Sequence, residues 1–355
     1  MNDNTLGDPR ITSLTMRPNS RDDFTIAIIC ALTVEAEAVE EHFDEIFDRL
    51  GKVYGKHSMD VNAYINGRIG VHNVVLAYMP EMGKTSAARV ASNIPFSYSN
   101  IEIGLVVGIC GGAPHSPRDE DIFLGDVVIS DAVIEYDFGE QYPGGFQRQS
   151  AIKDILGHPD SEIRNIVAGI KASDARQGFQ SQVLQHLHRI RESNAKWQRP
   201  RFTDDIVFNS PYHHKHHGEA SSVDCLCSEN HASFRCKDAA TQNCTELGCH
   251  ENQISRRRDS TRPENISIHI GTVGSSSTVM KSGEDRDQLV KKEQVLGVEM
   301  EGAGVWDIFP CIIIKGVCDY ADSHKNKIWQ AYAAATGSCA AKTFLEYWKP
   351  VATGI

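Results

Sequence analysis

Apolar residues in this chain fall into short β-branched runs separated by stretches of helical period. Residues 25–31 (Thr-Ile-Ala-Ile-Ile-Cys-Ala) read as a buried first strand. Residues 33–43 follow as a helix, with Glu35, Glu37, Glu40 and Glu41 interleaved among apolar positions. Residues 53–63 and 68–79 predict two further strands, and residues 84–94 a helix opened by Gly83. A short apolar strand at 103–107 runs into Gly108-Ile109-Cys110-Gly111-Gly112, and another, at 126–136, is entered through Leu124-Gly125. From 161 to 194 the period is helical: Ile163, Ile166, Val167 and Ile170 share one face, as do Val183, Leu184, Leu187 and Ile190. The core resumes at 266–273, a strand ending in Gly274 and three serines. Ile312-Ile313-Ile314 continues through Lys315-Gly316-Val317-Cys318 and delivers Asp319 at the carboxyl end of a buried strand, before a final helix at 327–348. Strands alternating with helices predict a mixed α/β sheet covered on both faces.

Two stretches break the pattern. Residues 1–24 are polar and lack the apolar middle of a signal peptide, so they read as a disordered lead-in to a domain spanning 25–350. Between about 204 and 265 the apolar period fades. This stretch holds His213-His214-Lys215-His216-His217, Arg256-Arg257-Arg258 and the cysteines 225, 227, 236, 244 and 249, and it reads as a flexible inserted surface loop. Zinc is conceivable there, but Cys225-x-Cys227 is tighter than the usual two-residue gap and no second compact pair follows; the expectation is no metal. Cys30, Cys110, Cys311, Cys318 and Cys339 lie in apolar segments and read as reduced core residues, which with the polar amino terminus favours a cytoplasmic setting. A chain of 355 residues and formal net charge -11 repels phosphate backbones, arguing against a nucleic-acid partner, and no apolar run reaches membrane-spanning length.

Three candidates for chemistry stand out. Asp319 sits where ligands bind in open α/β sheets, outside the carboxyl end of a strand. Glu299 and Glu301 flank Met300 between apolar segments, where a carboxylate needs a partner or a task. The glycines around Ile109 and Cys110 let a ligand approach the backbone, or make a tight turn without one. Gly83-Lys84-Thr85 lacks the earlier glycine of a phosphate-binding loop, Tyr78 standing there instead, and Lys84 reads as a solvated residue at a helix start.

These residues resemble those of the purine nucleoside phosphorylase / uridine phosphorylase superfamily, and most nearly the 5′-methylthioadenosine/S-adenosylhomocysteine nucleosidases and related fungal domains. The resemblance covers about 25–137 and 266–347. It implies a single α/β domain with a mixed, partly closed sheet flanked by helices, a homo-oligomer (dimer or trimer), a purine nucleoside substrate and no cofactor. It assigns Asp319 as the acid that protonates the departing purine, Glu301 as the carboxylate that grips the ribose hydroxyls, and Glu35 as the base that positions the attacking water. It puts Met300 and Glu299 beside the sugar, Val279 and Met280 around the purine, Ile109, Cys110 and Gly111 in the glycine-rich loop, and Trp329 over the 5′ end. Glu35 favours hydrolysis over phosphorolysis, because phosphate needs cationic donors and no Arg or Lys occurs from 25 until Arg49. A phosphate-dependent phosphorylase and a non-catalytic nucleoside sensor are the alternatives.

Overall fold

The computed structural model describes residues 17–115, 120–143, 145–148, 159–217, 227, 239, 241–258 and 265–349. Its centre is a nine-stranded sheet. The first strand, β1 (Ile26–Cys30), is wholly buried and pairs in parallel with both β4 (His72–Tyr78) and β5 (Ile103–Gly112). β2 (Glu45–Arg49) and β3 (Ala63–Ile69) extend the sheet beyond β4 in antiparallel register. On the other side of β5 come β13 (Cys311–Asp319), β6 (Val127–Glu135), β11 (Ile268–Ser275) and β12 (Val295–Glu299). β12 also pairs back onto β5, Val298 opposite Gly111, so five strands close a ring while β1, β4, β3 and β2 form an open wing. The expected mixed sheet is therefore present, with its closed part defined by that pairing.

Helices α1 (Thr33–Glu40), α2 (Lys84–Ser97), α3 (Ser161–Lys171), α4 (Ser173–Ser193), α5 (Gly283–Glu293), α6 (Gly302–Val305) and α7 (Gln330–Tyr347) surround the sheet, and β7 (Gly139–Tyr142) and β8 (Gly145–Arg148) form a separate hairpin. α7 lies directly on β13 and β5. The approach is so close that a Cβ at Gly316 would sit 1.9 Å from the Ala333 carbonyl oxygen, which requires glycine there. Among the described residues no helix is long and apolar enough to cross a membrane.

Several expected elements shift. Residues 53–62 form a turn and loop rather than a strand. Asp48 accepts the N–H groups of Lys52, Val53 and Tyr54, Gly51 and Gly55 take positive φ, and Val53 and Val61 point to solvent. The helical stretch from 161 is two helices, broken at Ala172, which is extended. Residues 1–16 of the expected tail lie outside the described residues, but its end is ordered: Arg21–Asp23 form a capped single turn and Phe24 is fully buried against Tyr54 and Tyr98.

The ends of the 204–265 segment are also ordered. β9 (Ile206–Phe208) pairs with β10 (Ile254–Arg257), and Asp205, Arg256 and Arg258 are built into the core surface. Cys225 and Cys236 lie outside the described residues, while the other eight cysteines are free thiols.

One buried histidine sets a pH dependence. His42, just after α1, donates from Nε2 to Ser338 Oγ of α7 (3.1 Å). Burial, then the nearby Lys342, His186 and Arg189, hold its pKa well below the ordinary value. The unfolded chain binds that proton first, so the stability from neutral His42 is complete above about pH 6.5 and is lost as pH falls from there toward the depressed folded value. In thermal melts between pH 7.5 and 5.5, His42→Gln should lose less stability on acidification than the parent. Parallel losses in the two proteins would show that His42 does not titrate on unfolding.

Candidate active site

A cavity of ≈310 Å³ opens at the carboxyl ends of the ring strands and β1. Ala31 and Leu32 follow β1, Ile109, Cys110 and Gly111 end β5, and Tyr136 follows β6. Thr278, Val279, Met280 and Lys281 follow β11, while Val298, Glu299, Met300 and Glu301 come from the end of β12 and the turn after it. Cys318, Asp319, Ala321 and Lys325 come from β13 and its loop, and Glu35, Met82 and Gln330 complete the lining. The volume suits one small polar molecule. Convergence of strand ends on it follows from the sheet: parallel strands present their carboxyl ends together, and the ring brings β12 back beside β5.

Inside, three carboxylates share one cation. Lys315 projects from the middle of β13 and is 1% exposed. Its ammonium donates to Glu301 Oε2 at 2.9 Å and stands 3.8 Å from Glu299 Oε2. Burial alone would lower its pKa; Glu301, Glu35 and Glu299 act the other way and prevail, so the ammonium is held above the ordinary lysine range.

Glu35 sits in the first turn of α1. Its Oε2 accepts the N–H groups of Ala31 (2.9 Å) and Leu32 (2.8 Å), and its Oε1 accepts that of Ile109 (2.8 Å). Glycine at 108 makes this possible, since a Cβ there would lie 2.1 Å from Glu35 Oε1. Burial raises the pKa of Glu35, with Lys315 opposing and Glu301 adding to the rise. Glu299 ends β12, and its carboxylate accepts the N–H groups of Glu301 (3.0 Å) and Gly302 (2.9 Å). It is raised by burial too, against the pull of Lys315. Glu299 thus fixes the turn that carries Met300 and Glu301.

Asp319 stands across the cavity. Its Oδ1 accepts the Ala321 N–H (2.9 Å), an Asx-type turn that lets Ala321 take φ 53, and its Oδ2 pairs with Lys325 Nζ (3.2 Å). The next residue, Tyr320, donates its hydroxyl to Asp205 Oδ1 (2.5 Å). Arg256 donates to that same hydroxyl (2.9 Å) and to the Ile122 carbonyl (2.7 Å), and Arg258 pairs with Asp205. The ends of the inserted segment therefore brace the backbone behind Asp319. Cys110 and Cys318 face the cavity, but burial raises both thiols, so they pack rather than react.

Every site residue expected from the sequence lines this cavity except Trp329. That ring is fully buried, edge-on to Tyr332 (5.8 Å, 74°), with the Arg199 guanidinium 5.9 Å from its centre. Its place at the amino end of α7 turns it into the core; Gln330 reaches the cavity instead, and Tyr136 is the aromatic residue in the lining. Lys84 is not a solvated cation either: it pairs with Glu135 (3.1 Å) and Asp137 (2.5 Å). Sequence reasoning passed over Lys315 and Lys325. The signal for Lys315 was present, one lysine inside a run of apolar strand residues, where a charge needs a partner.

Residues 25–181 match the profile of the phosphorylase superfamily. A nucleotide-binding leucine-rich repeat (NLR)-like protein of Hyaloscypha variabilis is 30% identical over 340 residues, 94% of this chain. The chain spans 30% of that relative's length. Among solved structures, the 5′-methylthioadenosine/S-adenosylhomocysteine nucleosidase of Neisseria meningitidis matches with a TM-score of 0.52 and 16% identity, covering 91% of this chain and 99% of that one. The futalosine hydrolase of Helicobacter pylori matches with a TM-score of 0.53 and 15% identity, covering 92% and 100%. At such identities these two speak for the fold.

Proposed function

We propose that this chain is a purine nucleosidase, which hydrolyses the N-glycosidic bond of a purine nucleoside to free base and ribose. The observation that carries the reading is the lining itself: Glu35, Glu299, Glu301 and Asp319 converge on one cavity whose described lining contains no arginine. Cleavage of an N-ribosyl bond builds positive charge on the sugar, and carboxylates around the ring stabilise it. A phosphate nucleophile would be repelled by the same groups. The two lysines of the lining are Lys281 and Lys325, and Lys325 is engaged by Asp319.

In this mechanism water attacks C1′ while Glu35 takes its proton. Three backbone N–H groups fix the carboxylate, and the burial that raises its pKa suits a base working near neutrality. Glu301 has Oε2 on Lys315 and uses Oε1 for a ribose hydroxyl. Met300 lies against the sugar, and Val279 and Met280 flank the purine. As Lys325 leaves Oδ2, Asp319 takes up a proton there from solvent and passes it to the purine as the glycosidic bond breaks, which returns it to the carboxylate that pairs with Lys325. No step calls on a cofactor. The resemblance, not a contact in this structure, supports a homo-oligomer.

The test is incubation of the full chain with adenosine, inosine, guanosine and methylthioadenosine, with and without phosphate. Free base and free ribose should form in phosphate-free buffer. Base that forms only when phosphate is added, with ribose 1-phosphate as co-product, would make the chain a phosphorylase. Saturable nucleoside binding without turnover would favour a sensing module, a reading to which the NLR-like relative gives some weight.

A further inference from the structure

We propose that His214, Cys244 and Cys249 hold a zinc ion that staples the inserted segment to the loop following Asp319. The three candidate ligand atoms lie within 4.8 Å of one another. His214 Nδ1 is 3.7 Å from Cys244 Sγ and 3.7 Å from Cys249 Sγ. In a tetrahedron with Zn–S of about 2.3 Å and Zn–N of about 2.0–2.1 Å, adjacent sulfur and nitrogen ligands stand about 3.6 Å apart. The observed edges match that figure without rearrangement.

The imidazole is set in the form a metal requires. His214 Nε2 lies 3.0 Å from the Gln242 carbonyl oxygen, which can only accept, so Nε2 carries the proton. Nδ1 is left with a lone pair aimed between the two thiols. An outer hydrogen bond of this kind is what orients a metal-bound histidine. The thiols come from one tight turn, in which the Cys249 N–H donates to the Cys244 carbonyl (2.9 Å). Two thiolates and an imidazole select zinc over hard cations such as magnesium or calcium. All three side chains are partly exposed, so water can complete the tetrahedron.

The position gives the site a task. The His214 N–H donates to Ser323 Oγ (2.9 Å), and its ring stands edge-on to His324 (5.2 Å, 70°). Two residues after Ser323 comes Lys325, the partner of Asp319. Zinc here would fix the turn at 244–249 and His214 as one unit against the 322–325 loop. The ion acts by holding structure, and the metal measurements below do not depend on the nucleosidase reading.

The full chain, expressed with zinc in the medium, should carry about one zinc per molecule by elemental analysis. The variant Cys244→Ser/Cys249→Ser, and separately His214→Ala, should lose it, while His250→Gln, a neighbour outside the set, should keep it. Stripping with a chelator should lower the melting temperature, and adding zinc back should restore it. Replacement by Co²⁺ should give a sulfur-to-metal charge-transfer absorption that His214→Ala weakens or shifts. Absence of zinc with both thiols freely titratable would overturn the proposal, as would a Cys244–Cys249 disulfide in the purified chain. Zinc retained in both ligand variants would place the metal elsewhere and overturn it too.

Discussion

Lys315→Met should destabilise the folded chain by about 3–5 kcal/mol at neutral pH, the range for removing one partner from a buried ionic cluster. Methionine keeps roughly the length and volume of the lysine stem, so packing around the stem changes little and the loss is electrostatic. Without the ammonium, Glu301 loses its 2.9 Å donor, and Glu35 and Glu299 lose the one influence from Lys315 that favours their ionised forms. Three buried carboxylates then face each other across a small space. Glu35 and Glu299, already raised by burial, can escape only by binding protons, so their folded pKa values rise further above the unfolded ones. The variant is therefore least stable where Glu35 and Glu299 must ionise, and it regains stability as pH falls through their raised values. Urea unfolding of parent and variant at pH 8 and pH 5 checks this. The gap between them should be wide at pH 8 and narrower at pH 5. Lys315→Arg keeps the charge and should fall between, limited by its larger head group. A variant as stable as the parent at pH 8 would mean that the carboxylates are neutral in the native protein and that Lys315 is incidental.

That cluster also explains what could be read from the chain and what could not. The buried strands were legible because β-branched runs such as Ile312-Ile313-Ile314 declare themselves locally. The carboxylates at 299, 301 and 319 were legible because each interrupts an apolar context. Lys315 was just as visible, yet its meaning depends on partners that local pattern does not supply: Glu301 lies 14 residues away, and Glu35 meets the Ile109 N–H across 74. Residues 53–63 misled because Val53, Met59 and Val61 look like strand residues, although all three point to solvent and the backbone hydrogen bonds go to Asp48. Trp329 misled in the opposite sense: motif position placed it over a ligand, whereas the start of α7 turns it into the core. The arginine run at 256–258 has no apolar period, so it reads as loop. Its order comes from Asp205 and Tyr320, far off in sequence, and only the fold brings them together. Deleting the whole of 204–265 would therefore remove the supports behind Asp319 along with any dispensable loop.

Asp319→Asn should cost on the order of 10²–10⁴ in turnover while leaving the fold intact, the range expected when a general acid is removed. As a carboxylate Asp319 offers two acceptors, and both are used: Oδ1 by the Ala321 N–H and Oδ2 by the Lys325 ammonium. Asparagine has one acceptor, so it can satisfy Ala321 or Lys325 but must turn its NH₂ donor toward the other. The Ala321 contact is the shorter and shapes the turn, so the amide oxygen should stay there and the lysine be released toward the cavity. The acid is then gone, although a hydrogen-bond donor remains where the purine would sit. Binding should consequently suffer less than turnover, with kcat falling further than KM rises. Lys325→Met separates the two residues. It leaves Asp319 as the acid and removes only the cation beside it, so its loss of kcat should be much the smaller. Initial rates of base release from methylthioadenosine and inosine, with circular dichroism to confirm folding, decide the matter. Near-parental turnover in Asp319→Asn would remove this carboxyl from the reaction. A Lys325→Met loss equal to that of Asp319→Asn would transfer the proton to the lysine.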